Sequence, residues 1–280
     1  MSATEANPEI GQMIEAGGIA TNYIIDGSGP PIILIHGSGP GVTGYANWRA
    51  VLPRLAPCYT AIAPDVVGFG YTERPKGFSY TLDNWVGHIT AFMDALGIEK
   101  AHFVGNSFGG AISLALAARH PDRVDKFVLM GAAGLPFPIT PGLEAVWGYS
   151  PSLDAMAELM GYFAHNPALA SPEIVESRYR ASIRPGYQEA FAAMFSASRQ
   201  AKLDALATPE DAIRDIRSEA LIIHGREDRV VPYEVSLQMH RLMPKSQLHL
   251  FGECGHWTQV EKTAEFCGLL LNFFSAGQSL

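Results

Sequence analysis

Apolar runs of five to seven residues alternate along much of the chain with longer stretches of helical spacing. Pro31-Ile32-Ile33-Leu34-Ile35 is continuously apolar, as strands covered on both faces are, and Gly18 to Asp26 alternates enough to form an earlier strand. Tyr59 to Ala63 reads as a third strand. Thr81 then caps a helix whose apolar positions Trp85, Ile89, Phe92, Met93 and Leu96 recur at helical spacing, with Gly97 suited to its C-terminal end. Ala101 to Asn106 is again a strand, and the helix after it stops at His120-Pro121, before a strand over Val124 to Met130.

The alternation then lapses. From Gly134 to about Ala207 no convincing strand appears, but proline-punctuated helical pieces do, among them one opened by Ser171-Pro172-Glu173 and one over Tyr187 to Phe195. It resumes with a strand at Ala220 to His224, a helix near Tyr233 to Leu242, a strand at Gln247 to Phe251 and a closing helix from Val260 to Phe274. Such an order predicts an α/β fold with a mostly parallel sheet covered by helices on both faces. Its core spans residues 1–133 and 208–280, and the 134–207 insertion forms a helical lid over one end of the sheet.

Composition narrows the partners. The 280 residues carry a formal net charge of -8 and no run of lysine and arginine, which argues against nucleic acid and anionic membranes. The three cysteines, an odd number, and a polar amino-terminal stretch unlike a signal peptide suggest a reducing cytoplasm. No apolar run approaches the roughly 18–20 residues of a membrane span. No Cys/His metal spacing is present, and the expectation is an enzyme without metal or cofactor. Exposed apolar surface on the lid or an edge strand would support a homo-oligomer.

The chemistry centres on Gly105-Asn106-Ser107-Phe108-Gly109, a G-x-S-x-G between an apolar strand and a helix. Glycines at 105 and 109 allow strand and helix to approach while Ser107 takes the strained turn of a nucleophile elbow. A serine hydroxyl needs a base, and the base needs an orienting acid. Of nine histidines, those at 102, 224 and 249 fall in or at the end of strands, His88 and His240 on helices, and His120 before a proline; each reads as structural or solvated. His256 sits in the glycine-bearing loop after the last strand and is the base of choice. The acid is sought at the same strand edge, where Glu227 and Asp228 follow Ala220–His224; Asp228, deeper in the loop, is preferred and completes the order Ser, Asp, His. Its alternative is an ion pair with Arg226 or Arg229. Oxyanion donors are expected from the backbone N–H of Phe108 and from the loop His36 to Gly41, with Ser38 the best position there. A phosphate loop is the competing reading of those glycines, but neither G-x-G-x-x-G nor a P-loop lysine is present.

With these residues in place the chain resembles the α/β-hydrolase superfamily over nearly its whole length, and within it the meta-cleavage product hydrolases of aromatic degradation. The strings carrying the resemblance are His36-Gly37-Ser38-Gly39-Pro40-Gly41, Asn47 beside Trp48, Gly105 to Gly110, Gly225-Arg226-Glu227-Asp228 and Cys254-Gly255-His256-Trp257. Trp147-Gly148-Tyr149 and Ala181 to Gly186 are similar to the branch acting on 2-hydroxymuconic semialdehyde and its alkyl homologues. The resemblance implies hydrolytic cleavage of a carbon-carbon bond in a small-molecule 2-hydroxy-6-oxohexa-2,4-dienoate, giving 2-hydroxypenta-2,4-dienoate and a carboxylic acid. It also implies that Asn47, Asn106, Arg178 and Trp257 bind substrate, Arg178 through the carboxylate, with Arg180 and Arg184 near enough to be confused with it. Plainer roles compete: Trp257 packing, Asn106 bracing the elbow, Asn47 capping a helix, Arg178 solvated on its helix. Apolar lid residues Leu135, Phe137, Ile139, Val146, Trp147, Tyr162 and Phe163 are candidates to shape the pocket. A carboxylesterase or peptidase of the same fold is the nearest rival function, and a non-catalytic ligand receptor a remote one. An aspartate nucleophile, as in the dehalogenase and epoxide hydrolase relatives, is replaced here by Ser107.

Overall fold

In the computed structural model, residues 7–195 and 198–276 are described; the outermost ends of the expected core and residues 196–197 of the expected lid lie outside them. The chain opens with β1 (Gln12–Ala16) and β2 (Ile19–Asp26), passes through β3 (Pro31–Ile35), α1 (Gly44–Trp48) and α2 (Leu52–Leu55), and continues with β4 (Thr60–Pro64), α3 (Leu82–Ala95), β5 (Ala101–Asn106), α4 (Phe108–Arg119) and β6 (Val124–Met130). Between β6 and β7 (Glu219–Gly225) it is helical only: α5 (Pro141–Trp147), α6 (Leu153–Phe163), α7 (Pro172–Ser182), α8 (Tyr187–Phe195), α9 (Arg199–Asp204) and α10 (Glu210–Arg214), with short 3-10 turns. It ends with α11 (Tyr233–Leu242), β8 (Ser246–Phe251), α12 (Thr258–Glu261) and α13 (Thr263–Ser275).

The eight strands form one sheet in the order β1-β2-β4-β3-β5-β6-β7-β8. The first two are antiparallel to their neighbours and the remaining six run parallel. Alternate residues of the apolar strands enter cores on opposite faces: Ile33, Ile35 and Phe103 join Trp85, Ile89, Ile112 and Met239, whereas Ile32, Leu34 and Val104 join Trp48, Leu55, Phe266 and Leu270. That two-sided burial is why those strands are apolar throughout.

Helix starts follow local chemistry. Thr81, Thr140, Ser152 and Ser171 each accept a backbone N–H of the first turn through the side-chain oxygen, at α3, α5, α6 and α7. Two expectations need correction. The closing helix is broken at Lys262 (φ -127°, ψ 41°) into α12 and α13. β1 was not foreseen; its alternation is weak, and pairing from Gln12↔Tyr23 to Ala16↔Ile19 supplies what its sequence lacks. Among the described residues no helix is long and apolar enough to cross a membrane.

Because β3, β5, β6, β7 and β8 are parallel, the loops after them all emerge at one edge. That edge receives Ser38, Ser107, Asp228 and His256 from segments as much as 218 residues apart in sequence.

Candidate active site

Ser107 links β5 to α4 with φ 54° and ψ -111°, a positive φ that non-glycine residues seldom adopt. The surroundings enforce it: its N–H donates to the Met130 carbonyl (2.9 Å), while its own carbonyl accepts from Gly110 (3.0 Å) and Ala133 (3.1 Å). Glycines make the elbow sterically possible. A Cβ on Gly105 would stand 2.3 Å from the Gly109 carbonyl oxygen, and one on Gly109 2.3 Å from that of Ile35. Phe108 opens α4, so its backbone N–H lies where no intrahelical acceptor exists; its ring is buried against Trp85 and Phe69.

In the loop after β7, Asp228 has a side chain of 0% exposure, with Oδ2 2.7 Å from Nδ1 of His256. Oδ1 accepts the N–H groups of Val230 (2.7 Å) and Val231 (3.0 Å). Burial alone would raise this carboxyl, but the His256 ring, hydrogen bonds from His224 and His256, and the His224 ring hold it well below the usual carboxylate range. The neighbouring Glu227 faces elsewhere, pairing with Arg226 and accepting the Cys254 N–H (3.1 Å). Arg229 lies over the Tyr162 ring, so neither arginine takes Asp228. Gly131, at φ +51°, leaves room for the pair: a Cβ there would be 3.2 Å from His256 Nδ1 and 3.3 Å from Asp228 Oδ2.

The His256 loop is held by the helical segment above it. The Phe163 carbonyl accepts the N–H of His256 (2.8 Å) and of Trp257 (3.2 Å), and the Phe163 ring stacks on Trp257 at 4.8 Å between centroids. Glu261 accepts the Gly255 N–H through one oxygen and those of His165 and Asn166 through the other, a tie that no motif announced.

Across the cavity His36 fixes the glycine loop. Val66 N–H donates to its Nε2 (3.0 Å), so the ring proton sits on Nδ1 and is given to the Gly37 carbonyl (2.7 Å). Burial drives this ring down to about 4 against the opposing bond to Gly37, keeping it neutral. Ser38 is buried, and its hydroxyl accepts Trp147 Nε1–H (3.0 Å). Asn47 Oδ1 accepts Gly37 N–H (3.3 Å), and its buried Nδ2 has no hydrogen-bond partner among the described residues. Asn106 donates to the Met130 carbonyl (3.4 Å).

Ser38, Asn47, Asn106, Ser107, His256, Trp257 and Arg178 all line one cavity of about 380 Å³. Asp228 stands behind His256, and Phe108 faces the core, so only its main chain is available to a ligand. Arg178 separates itself from its two neighbours. Arg180 is exposed and paired with Glu176 (2.5 Å), and Arg184 is paired with Glu9 (2.6 Å). Arg178 has no ion-pair partner among the described residues, and its buried Nε lacks a hydrogen bond. Its guanidinium lies 6.0 Å from the Trp257 ring centre and near Gly39. Burial, with Arg49 and Arg184 adding to it and Glu9 opposing, lowers it to about 10, so it stays cationic at neutral pH. Glu9 and Arg49 also line the cavity; neither belongs to a local pattern that sequence reasoning could have used. Of the apolar lid candidates, Val146 and Phe163 reach the wall, joined by Leu143, Ile174 and Val230, whereas Leu135 and Phe137 are packed into the core beneath.

Residues 30–263 match the profile of the alpha/beta hydrolase fold family. The chain is 54% identical over 273 residues to a 2-hydroxy-6-oxo-2,4-heptadienoate hydrolase of Pseudomonas putida, covering 98% of this chain and 99% of that one. It is also 54% identical over 275 residues to a 2-hydroxymuconate semialdehyde hydrolase of a Pseudomonas species, covering 98% and 97%. Among solved structures, the meta-cleavage product hydrolase from Pseudomonas fluorescens superposes with a TM-score of 0.95 at 54% identity, covering 96% and 99% of the two chains.

Proposed function

We propose a reaction for this chain from the premise that it belongs to the α/β-hydrolase fold family and, within it, to the meta-cleavage product hydrolases. The reaction is hydrolytic cleavage of the C5–C6 bond of a 2-hydroxy-6-oxohexa-2,4-dienoate bearing hydrogen or a small alkyl group at C6, with water consumed and 2-hydroxypenta-2,4-dienoate and a carboxylic acid released. The observation that carries it is the meeting at one cavity of Ser107 and of His256 backed by Asp228 with a half-buried arginine, Arg178, that has no ion-pair partner among the described residues and whose buried Nε lacks a hydrogen bond. An esterase needs the first and has no use for the second.

Arg178 receives the C1 carboxylate and the C2 oxygen, for which a planar cation with paired donors is suited. With the dienol so anchored, a proton leaves the 2-hydroxyl and is delivered to C5 through His256, giving the 2,6-dioxo form. Cleavage requires that form, because its C2 carbonyl accepts the electron pair released from the C5–C6 bond. Ser107 Oγ then attacks C6 as its proton passes to His256, whose imidazolium Asp228 stabilises. The C6 oxyanion is received by the backbone N–H groups of Ser38 and Phe108. As C5–C6 breaks, the pair delocalises to the C2 oxygen beside Arg178 and the proton held by His256 passes to the departing dienolate, giving the 2-hydroxy product; the neutral His256 ring then takes a proton from water, which hydrolyses the acyl-serine to the carboxylic acid. Asn47, Asn106 and Trp257 line the carboxylate end of the substrate.

In this reading α5 to α9 act as a lid, residues 134–207, that shields the dienolate from bulk water, and the core is 1–133 with 208–280, α10 belonging to the core. The three free cysteines suit a cytoplasmic setting. The test is decay of the coloured dienolate of 2-hydroxymuconic semialdehyde and its 6-methyl homologue, with the two products formed in equal amounts. Faster hydrolysis of p-nitrophenyl esters than of either dienolate would replace this reading with a carboxylesterase.

A further inference from the structure

His224 looks in sequence like one more buried strand residue. In the structure it lies at the end of β7 with 0% side-chain exposure, and its Nε2 is 3.1 Å from Oδ2 of Asp228, the same oxygen that faces His256. Nε2 is also 3.0 Å from the Val231 carbonyl. Both neighbours are acceptors, so the ring proton must be on Nε2. In the neutral ring Nδ1 is then an acceptor, and the buried Ser236 hydroxyl on α11 donates to it at 2.6 Å. Val230 and Val231 donate to Oδ1 and His256 to Oδ2, and the single His224 Nε2–H, shared with the Val231 carbonyl, is a fourth donor group within reach of the carboxylate.

We propose that His224, its tautomer set by Ser236, is a positioning residue that fixes the Asp228 carboxylate and moderates its hold on His256. The proposal rests on the function assigned above. Without His224 the Oδ2 atom would keep only His256 as a donor. The carboxylate would be free to rotate about its Val230 and Val231 bonds, and more negative charge would face His256. Two effects follow: His256 is less well aimed at Ser107, and its imidazolium is held more tightly. The remaining ionisable groups nearby do not duplicate the role. Glu227 is turned to Arg226, Arg229 lies over Tyr162, and the Cys254 thiol, pushed up to about 12 by burial first and Glu261 second, stays neutral.

The test uses full-length His224→Leu, His224→Gln and Ser236→Ala, with kcat and kcat/KM measured against pH on 2-hydroxymuconic semialdehyde and on p-nitrophenyl acetate, alongside thermal unfolding. His224→Leu is expected to lower kcat about tenfold and to move the acidic limb of kcat/KM upward by roughly 0.5–1 pH unit. His224→Gln, which restores an N–H toward Oδ2, should return the limb toward the parent position. Ser236→Ala should move it in the same direction as His224→Leu by a smaller amount. A folded His224→Leu whose acidic limb coincides with that of the parent overturns the proposal, even if kcat falls, because loss of packing alone would do that. If His224→Leu does not fold, an unmoved limb in Ser236→Ala overturns it instead. The ester keeps the two readings apart: a parent enzyme that cleaves only the ester sinks the dienoate assignment, while the limb measured on the ester still decides the role of His224.

Discussion

Oδ2 of Asp228 stands 2.7 Å from Nδ1 of His256, and the carboxyl next to it in sequence, Glu227, is spent on Arg226 and a backbone N–H. The two acids therefore have separable consequences. Asp228→Asn places an amide where an acceptor is required and favours the wrong histidine tautomer, so kcat on the dienolate should fall by about 10⁴-fold. Glu227→Gln should stay within about threefold of the parent, since only a rim hydrogen bond and an exposed ion pair change. Steady-state rates of the two variants check this, and a larger loss at Glu227 would reverse the assignment.

Ser107→Ala removes the oxygen proposed to attack C6 while leaving Arg178 and the cavity walls intact. The variant should bind the coloured dienolate with a dissociation constant close to the parent KM, and product formation should drop by at least about 10³-fold. Stopped-flow absorbance follows binding and cleavage separately. Normal turnover would remove Ser107 from the nucleophile role.

Arg178 and Arg180 sit two residues apart on α7 with different surroundings, one with a buried Nε lacking a partner and one paired with Glu176 in solvent. Arg178→Ala should raise KM for the dienolate by about 10–100-fold, the equivalent of losing a charge-assisted hydrogen bond. Arg178→Lys should recover only part of this, because an ammonium cannot pair with carboxylate and C2 oxygen through two parallel donors. Arg180→Ala should leave KM unchanged. Equal effects at 178 and 180 would indicate a diffuse electrostatic contribution.

Stability should fall as the solution is acidified from pH 6.5 toward 4. Burial is the main cause of both histidine shifts: His36 is lowered to about 4, and so is His88, to which the His36 charge contributes secondarily. Between those values and the ordinary 6.5 the unfolded chain binds two protons that the folded chain refuses. Asp65 works the other way: burial raises it to about 6 despite hydrogen bonds from Tyr71, Gly44 and Asn22, so below that pH the folded chain holds a proton that the unfolded chain releases until about pH 4. Between about pH 6 and 4 these three groups leave a net uptake of about one proton on unfolding, two minus one, and His102, lowered by burial as well, adds to it, so the unfolding free energy should decline by at least about 1.4 kcal/mol per pH unit there. Below pH 4 the depressed Asp228 carboxyl adds a further loss. Thermal unfolding midpoints across pH 4–8 provide the measurement, and a midpoint that rises on acidification would contradict the burial of the two rings.

Much of the fold was legible in the chain because its signals are local. The β3 run Pro31–Ile35, the Thr81 and Ser171 caps and the stop at His120-Pro121 depend on neighbouring residues alone. Ser107 could be found because the G-x-S-x-G string lies between a strand signal and a helix signal, although only Gly105 is demanded by a contact within that segment and Gly109 is demanded by Ile35 on β3; its partners could be found because a parallel sheet delivers its loops to one edge. β1 escaped because an edge strand is stabilised by its partner more than by its own pattern. The break at Lys262 escaped because an amphipathic run on both sides of it reads as one helix.

What the sequence determined by itself was the α/β order and the tight strand-serine-helix turn at Ser107, which rest on short-range steric and periodic rules, and the family resemblance, which rests on matching motif strings. Only the tertiary structure decided which acid faces His256, which of three nearby arginines is left without a counterion, and that His224 shares the carboxylate oxygen used by His256. Those outcomes depend on the relative placement of side chains on separate elements. Side-chain direction in a loop, and the competition of charges for partners, are settled by packing across the molecule rather than by spacing along the chain.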